Sequence, residues 1–163
     1  MYLKIKLRWN SFSIIVLCVL VFLLSVLKNL RAETTVVHAN IVWEMTDIVA
    51  QCGMSFKWEV RKNTLWSCNP QLFPEGHTAD GTPVPALKDY VLPGQPIGKL
   101  IGRFGDCGRI FPMGTSGSIN VLPSEDGEFL YLSMNDDIIG LYGKGFKDNE
   151  GTLMVNITQS KEE

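Results

Sequence analysis

Apolar and polar residues alternate with period two in two stretches of this chain, residues 55–61 and residues 152–158. In the first stretch Phe56, Trp58 and Val60 fall on one face, and charged residues fall on the other. This pattern is typical of a strand that has one face against a core and the other in water. Because the remaining polar part of the chain has no amphipathic helical period, the sequence predicts an all-β domain.

Four further strands are expected where β-branched or apolar residues are bounded by Gly, Pro, Asn or Asp. They lie at residues 35–42, 99–104, 117–122 and 128–134. Many short strands in one domain of this length favour a single antiparallel β-sandwich or a barrel, predicted for residues 33–159. Within it, the Pro- and Gly-rich residues 69–96 predict a long, ordered and functional surface loop. Residues 160–163 are predicted to be a frayed tail.

An uncharged hydrophobic run occupies residues 12–27 and follows Lys4, Lys6 and Arg8. A basic flank followed by an apolar run is typical of an export signal. The run is intermediate in length between a cleaved signal core and a membrane-spanning helix, so residues 1–32 are either a signal peptide or a transmembrane signal anchor. The domain is therefore expected outside the cytoplasm, periplasmic or extracellular. It is anchored to the membrane by the N-terminal hydrophobic helix, or secreted if that segment is cleaved.

The exported part of the chain is acidic. All seventeen acidic residues follow Arg31, together with ten of the fifteen basic ones, so the formal charge of this part is ten minus seventeen, or −7. An acidic surface argues against a nucleic-acid partner and is compatible with a bound hard cation. The oligomeric state is not fixed by the sequence, and an oligomer is compatible with it.

The cysteines allow one intramolecular disulfide in the exported part. Cys18 lies in the hydrophobic run, which leaves Cys52, Cys68 and Cys107 in a compartment where disulfides form. Because this number is odd, one thiol stays free or pairs between chains. Cys68 and Cys107 both lie in turn-rich sequence and are predicted to pair. A zinc site is not expected, because there is no Cys-x-x-Cys pair and only two histidines are present.

Two groups of oxygen-bearing side chains flank a glycine-rich stretch near the C-terminus. Asn135, Asp136 and Asp137 precede it, and Asp148 and Asn149 follow it. Calcium takes six to eight oxygen ligands, and a chain reversal between two strands would bring both groups to one ion. The spacing is not that of an EF-hand, and the same residue types are common in turns that bind nothing. From the pattern alone, both interpretations stay open.

Several blocks of sequence, in this order and at this spacing, resemble the PA-IL-like galactose-binding lectins of bacteria. These blocks are residues 96–106, 114–119, 130–137 and 148–157, within a match that is strongest over residues 93–157. The resemblance implies a small β-sandwich of the jelly-roll or galactose-binding-like kind. It also implies a calcium ion held in loops at one end of that sandwich.

The resemblance further implies roles for particular residues. The calcium ligands that it implies are the side chains of Asp136, Asp137, Asp148 and Asn149, where Asp137 either replaces or assists Asp136, and the backbone carbonyls of Leu141 and Cys68. Residues 144–147 are extra between the two ligand groups and could displace one group from the other. The sugar-contacting His and Gln of the family have no matching positions here. Candidate sugar contacts are instead Trp66, Tyr142 and His77, although a place in the core is the alternative for Trp66.

The sequence therefore predicts a calcium-dependent module that binds a carbohydrate or glycoconjugate and is not an enzyme. Two vicinal sugar hydroxyls can fill open coordination positions on calcium. One alternative is a protein-interaction module of the cell envelope whose calcium is structural or absent. Another is an envelope hydrolase with Asp136 and Asp148 as its paired carboxylates, a role that excludes calcium binding by the same side chains.

Overall fold

The computed structural model describes residues 32–161, which belong to one compact unit, Ala32–Glu163. The hydrophobic helix predicted at residues 12–27 lies outside the described residues. Within residues 32–161, no helix is long and apolar enough to cross a membrane.

Nine strands form two antiparallel sheets in the described part of the chain. The strands are β1 (Ala32–His38), β2 (Glu44–Val49), β3 (Met54–Val60), β4 (Trp66–Ser67), β5 (Leu100–Phe104), β6 (Ile110–Pro112), β7 (Ser116–Asn120), β8 (Phe129–Met134) and β9 (Glu150–Lys161). One sheet has the order β1-β9-β3-β7, with β4 paired to β9, and the other has the order β2-β8-β5-β6. Single turns of 3₁₀ helix occupy Pro123–Glu125 and Gly145–Lys147.

The core lies between the two sheets. The alternation predicted for residues 55–61 is confirmed, because Phe56, Trp58 and Val60 are buried while the charged residues between them are exposed. Phe56 of one sheet packs against Phe104 of the other, with ring centroids 5.3 Å apart. Aromatic contacts of this kind join the layers, so the prediction of an all-β antiparallel sandwich is confirmed.

The six predicted strands correspond to β1, β3, β5, β7, β8 and β9, with shifted ends. The largest shift is at β1, which begins at Ala32 and ends at His38. Strand β2 was missed because one of its inward positions is Thr46, whose hydroxyl donates to the Leu130 carbonyl at 2.9 Å. Strands β4 and β6 are too short to show a period. Strand β9 continues to Lys161, into the segment predicted to be frayed.

The long connection between β4 and β5 contains no strand but is tied down along its length. Thr82 and Ala86 are buried, and their backbone N–H groups donate to the carbonyls of Ile97 and Gln95, both at 2.8 Å. Residues 69–96 are therefore an ordered surface loop, as predicted. The loop returns to the sheet just before β5, where it forms part of a cavity wall.

The predicted disulfide between Cys68 and Cys107 is wrong, because Cys52, Cys68 and Cys107 are all free. Cys68 lines a cavity together with Ile97, just before β5 begins, whereas Cys107 follows the other end of β5. A strand of this length extends about 16 Å, and a disulfide requires Cα atoms within about 7 Å. Turn-rich sequence placed both cysteines at ends of the sandwich, but the two ends are opposite.

Alkylation should distinguish Cys68 from the two exposed cysteines. Burial raises the pKa of the Cys68 thiol to about 12, and the nearby Asp136 carboxylate acts in the same direction. Because the thiolate is the reactive form, this shift lowers reactivity about a thousandfold relative to a thiol of ordinary pKa. In the folded protein at pH 8, iodoacetamide should modify Cys52 and Cys107 and spare Cys68, as read by peptide mass spectrometry. Equal modification of all three thiols would contradict this environment for Cys68.

Candidate functional site

A cavity of about 200 Å³ opens at one end of the sandwich. Its lining includes five of the residues that the sequence singled out, namely Cys68, Asp136, Asp137, Tyr142 and Asp148. Members of both ligand groups proposed from the sequence therefore line one cavity, although Asn149, next to Asp148, is not part of the lining. The polar groups form only part of the lining, because apolar side chains also line the mouth.

The strand order explains why these residues meet. Strand β8 ends at Met134, so Asp136 and Asp137 continue just beyond one sheet. Strand β9 begins at Glu150, so Asp148 and Asn149 lie just before the other sheet. Because the connection between β8 and β9 crosses from one sheet to the other at this end of the sandwich, the two groups face each other across the gap between the layers.

The extra residues 144–147 do not separate the two ligand groups. Phe146 is buried in the hydrophobic core. Gly145 has φ +55° and packs so closely against Asp137 that a Cβ atom there would lie 2.2 Å from the Asp137 carbonyl oxygen. The added segment thus folds inward onto the domain, and only glycine fits at the contact.

Asp136 carries a buried oxygen that no donor satisfies. Its side chain is 5% exposed, and Oδ1 accepts a hydrogen bond from the Asp137 N–H at 2.7 Å. Among the described residues, Oδ2 has no hydrogen-bond partner. Burial raises the pKa of the Asp136 carboxyl above its usual range, and the carboxylates of Asp148 and Asp137 add to this rise. The ionised carboxylate is therefore poorly compensated by the protein itself.

Asn149 has a second oxygen of the same kind. Its side chain is 4% exposed, and Nδ2 donates to the Ala39 carbonyl at 3.2 Å. Its Oδ1 has no partner among residues 32–161. The Asn149 amide lies beside the Asp136 carboxyl and acts against the rise in the pKa of that group. Unsatisfied buried oxygens are rare in proteins, and these two lie on neighbouring side chains.

Asp137 gives the loop that follows β8 its shape. Its Oδ1 accepts hydrogen bonds from the backbone N–H groups of Ile139 and Gly140, both at 3.0 Å. Its Oδ2 accepts from the N–H of Tyr142 at 2.9 Å. Three backbone donors thus converge on one carboxylate. A role for Asp137 in assisting Asp136 stays a prediction. The observed contacts of Asp137 stabilise the conformation of the loop.

Leu141 is not among the residues that line the cavity, although the resemblance implied a ligand there. Its side chain is exposed, and the wall of the cavity at this point is formed by Tyr142, Gly143, Lys144 and Gly145. Within residues 32–161, no three His, Cys, Asp or Glu side chains are placed to hold a metal by themselves. A metal in this cavity would therefore depend on amide or backbone oxygens as well, which calcium accepts.

The assignment of Trp66 as a sugar contact is wrong. Trp66 is 1% exposed and belongs to the hydrophobic core, and its indole Nε1–H donates to the Gly98 carbonyl at 3.0 Å. Neither face of the ring is open to a ligand. The alternative for this residue, a place in the core, is the one that the structure supports.

His77 also turns away from a ligand role. Its Nε2 accepts a hydrogen bond from the Cys68 N–H at 3.2 Å, so the ring proton lies on Nδ1, which is 3.1 Å from the Thr78 carbonyl oxygen. Gly98 packs against the ring so closely that a Cβ atom there would lie 2.3 Å from Cε1. Because both nitrogens bond to backbone, His77 positions Cys68 at the cavity and does not offer a nitrogen to a sugar.

Because of His77, the domain should become less stable as the pH is lowered. Burial lowers the pKa of His77, so the folded ring resists a proton that the unfolded chain accepts near pH 6.5. The stabilising contribution is present above that pH and is lost as the pH falls below it. In thermal melts at pH 7.5 and 5.5, His77 should contribute a loss of a few degrees at the lower pH, measured as the difference between the wild type and His77→Gln because the opposite contribution of Asp136 is common to both. His77→Gln should reduce this loss, and His38→Gln, which changes the exposed histidine beside Glu44, should retain it.

Tyr142 is the one proposed sugar contact with an open face. Its ring is half exposed and stacks on Tyr90, with centroids 5.7 Å apart and planes inclined by 14°. Its hydroxyl donates to Asp89 Oδ2 at 2.8 Å. The ring is therefore fixed at the cavity mouth by contacts with the long connection, and it can receive the apolar face of a ligand.

Asn135 is a residue whose importance the sequence did not reveal. It is fully buried, and its Nδ2 donates to the carbonyls of Leu92 and Pro96, both at 3.0 Å. Its Oδ1 accepts from the Leu92 N–H at 2.8 Å. This amide fastens the end of the long connection to the end of β8, next to Asp136. Its position beside two aspartates was a hint in the sequence that it belongs to the site. The sequence did not show which loop its side chain would bind.

The described domain has a lectin-like β-sandwich fold. The N-terminal domain of EclA, a PllA-like lectin, has a similar structure, with a TM-score of 0.50 at 22% sequence identity. The match covers 82% of this chain and 99% of that domain. No protein-family model and no curated protein matches the chain. The lectin-like β-sandwich fold that the sequence resemblance implied is thus confirmed.

Proposed function

We propose that this chain is a carbohydrate-binding module that uses a calcium ion in the cavity between Asp136 and Asp148. The observation that carries the proposal is the pair of buried, unsatisfied oxygens, Asp136 Oδ2 and Asn149 Oδ1. An uncompensated buried carboxylate is costly, and an unpaired amide oxygen costs about 1 to 3 kcal/mol more. Calcium binds both kinds of oxygen, so one ion would offset both costs.

The proposed ligands are Asp136, Asp148, Asn149 and the backbone carbonyl of Cys68. Calcium, when bound, supplies a positive charge with open coordination positions that vicinal sugar hydroxyls can fill. Around it, Asp137 keeps the loop in shape, and Tyr142 offers an aromatic face to the apolar side of a sugar ring. The similarity in fold to a domain described as a lectin supports this proposal.

We further propose that the module acts outside the cytoplasm and without catalysis. The export hypothesis depends on the hydrophobic run at residues 12–27 and the basic residues before it. The non-enzymatic role is supported by the lectin-like fold and by the competing demand on the cavity aspartates, since a metal ligand is not free to act as an acid or base.

A glycan array with the domain at residues 32–163 tests the proposed function. This segment is a suitable probe because its strands pair with one another and its core is complete. We expect binding to a subset of glycans in calcium, loss of binding in EDTA, and recovery on adding calcium back. Asp148→Asn should weaken binding, whereas Asp106→Asn, at an exposed position beyond the other end of β5, should leave it unchanged.

Two results would count against the proposal in different ways. Glycan binding that persists in excess EDTA would remove calcium from the mechanism. Calorimetry that detects calcium binding without a response to any glycan on the array would favour the protein-interaction module instead.

A further inference from the structure

Two segments of the chain build the wall of the cavity, and they differ in chemistry. The connection between β8 and β9 contributes three carboxylates and the exposed Lys144. The long connection between β4 and β5 contributes mainly apolar side chains, which are Leu72, Phe73, Val84 and Ile97. A ligand of this cavity therefore meets charged groups from one segment and hydrocarbon from the other.

The apolar side chains extend from the inner end of the cavity to its rim. Phe73 and Ile97 are partly buried and pack against the hydrophobic core, so they lie at the inner end. Val84 is 49% exposed and Leu72 is 71% exposed, so they lie at the outer end. The apolar surface is thus within reach of the ring of a bound sugar as well as of any group attached to that ring.

The polar side chains that the long connection brings to the cavity are engaged with its own backbone. The Asn69 Oδ1 accepts hydrogen bonds from the N–H groups of Gln71 and Leu72, at 3.0 and 3.1 Å. The Thr82 side chain is buried, and its hydroxyl oxygen accepts the Val84 N–H at 3.3 Å. A ligand hydroxyl against this segment would compete with the backbone for these oxygens, so burying a hydroxyl there is costly.

The volume of the cavity suits a single sugar ring. At about 200 Å³, it is smaller than the roughly 300 Å³ at which pockets for drug-sized ligands begin. The stacked rings of Tyr90 and Tyr142 form the wall where the two segments meet, because Tyr90 also pairs with Asp137 in an isolated β-bridge. A substituent of the bound ring, and not a second sugar, therefore meets the apolar side chains.

We propose that the sugar bound in this cavity is a 6-deoxyhexose, whose methyl group rests on Phe73, Val84 and Ile97. This inference depends on the proposed function, because it places two vicinal hydroxyls of the sugar on a calcium ion beside Asp136 and Asp148. A hydroxymethyl group at the position of the methyl would bury a hydroxyl, and an acetamido group would bury both a donor and an acceptor. A methyl group needs no hydrogen-bond partner and gains from the apolar contact.

Calorimetric titration with matched pairs of methyl glycosides tests this proposal on residues 32–163 in calcium. The members of each pair differ only in the hydroxyl on carbon 6. The pairs are D-fucose with D-galactose, L-fucose with L-galactose, and L-rhamnose with L-mannose. In the pair that binds best, we expect the deoxy sugar to bind about tenfold more tightly than the hexose, because the hexose loses the methyl contact and buries a hydroxyl.

Two valine variants locate the source of this preference. Val84→Thr supplies a hydroxyl at nearly the same volume, so the affinities of the two sugars should come to within about threefold of each other. Val36→Thr is the matched control, because Val36 is 40% exposed on β1 and does not line the cavity. That control should keep the tenfold preference. Calcium affinity without sugar should be unchanged in both variants, since neither residue is a proposed ligand.

The outcomes separate this proposal from the proposed function. Calcium-dependent binding of both sugars with equal affinity, or with the hexose preferred, would overturn the 6-deoxyhexose and leave carbohydrate binding standing. Equal loss of the preference in the two variants would also overturn it, because the long connection would not be the source. If no pair binds while the glycan array shows calcium-dependent binding, the cavity takes another class of sugar and only this proposal fails. If the array shows no binding either, both proposals fail.

Discussion

Replacing Asp136 with asparagine should abolish the response of the domain to calcium and raise its stability in chelator. In the wild type, calcium at a hundred times its dissociation constant should stabilise the fold by about 2.7 kcal/mol, or about 10 °C in Tm. The variant lacks the charged ligand, so this gain should disappear. Without calcium, the variant should be the more stable protein at pH 7, since a neutral amide is less costly to bury than an unpaired carboxylate.

The pH dependence in chelator gives an additional check on Asp136. Because burial raises the pKa of this carboxyl, the folded state holds a proton that the unfolded chain releases. The wild type should therefore lose stability as the pH rises through the raised pKa, and Asp136→Asn should not show that loss.

Thermal melts in calcium and in EDTA measure both effects. Asp106→Asn, which changes an exposed aspartate outside the cavity, should behave like the wild type in both conditions. If the wild type and Asp136→Asn shift equally with calcium, the ion does not bind at this carboxylate. If neither shifts at millimolar calcium, the proposed metal site does not exist.

The sequence predicted those strands whose inward positions are apolar. Phe56, Trp58 and Val60 give β3 a clear alternation, and the structure buries all three. The same rule fails for β2, where Thr46 is buried and its hydroxyl bonds to a neighbouring strand. A buried hydroxyl that hydrogen-bonds to a neighbouring strand cannot be distinguished from an exposed hydroxyl by the pattern of hydrophobicity alone.

The positions of the acidic residues of the candidate site could be predicted from the sequence, but the roles of the side chains around them could not. Asp136 and Asp148 each lie next to the end of a strand, so correct strands at β8 and β9 suffice to bring them to one end of the sandwich. Trp66 was proposed from its proximity in sequence to the calcium ligands, and His77 from its place in the broad region of the family's sugar-contacting histidine. Their roles depend on which way each side chain points, and the hydrogen bonds to Gly98 and Cys68 that fix those directions come from distant or reversing segments.

The largest loss of stability among the site residues is expected at Asn135. Replacing it with leucine, which is similar in volume, removes the donors to the Leu92 and Pro96 carbonyls and the acceptor for the Leu92 N–H. Only the Leu92 N–H loses its sole partner, because the Leu92 and Pro96 carbonyls also accept the N–H groups of Gln95 and Lys99, at 3.4 and 3.3 Å. The loss of three hydrogen bonds at about 1 kcal/mol each should still destabilise the fold by roughly 3 kcal/mol.

The backbone hydrogen bonds from Val91 to the Asp136 carbonyl and from Gly98 to the Asn135 carbonyl would remain, but the long connection would be held less firmly beside Asp136. Calcium affinity should therefore fall together with stability.

Urea unfolding and calcium titration of Asn135→Leu measure these two losses. Asn156→Leu is the matched control, because Asn156 is exposed on β9 and bonds only to the exposed Thr34 hydroxyl among the contacts that the structure describes for its side chain. That control should change stability by less than about 1 kcal/mol and leave calcium affinity unchanged. If Asn135→Leu is no more destabilising than Asn156→Leu, the long connection is held in place by its own turns and by the backbone hydrogen bonds from Val91 and Gly98 to the Asp136 and Asn135 carbonyls. The Asn135 side chain would then have no part in ordering the cavity wall.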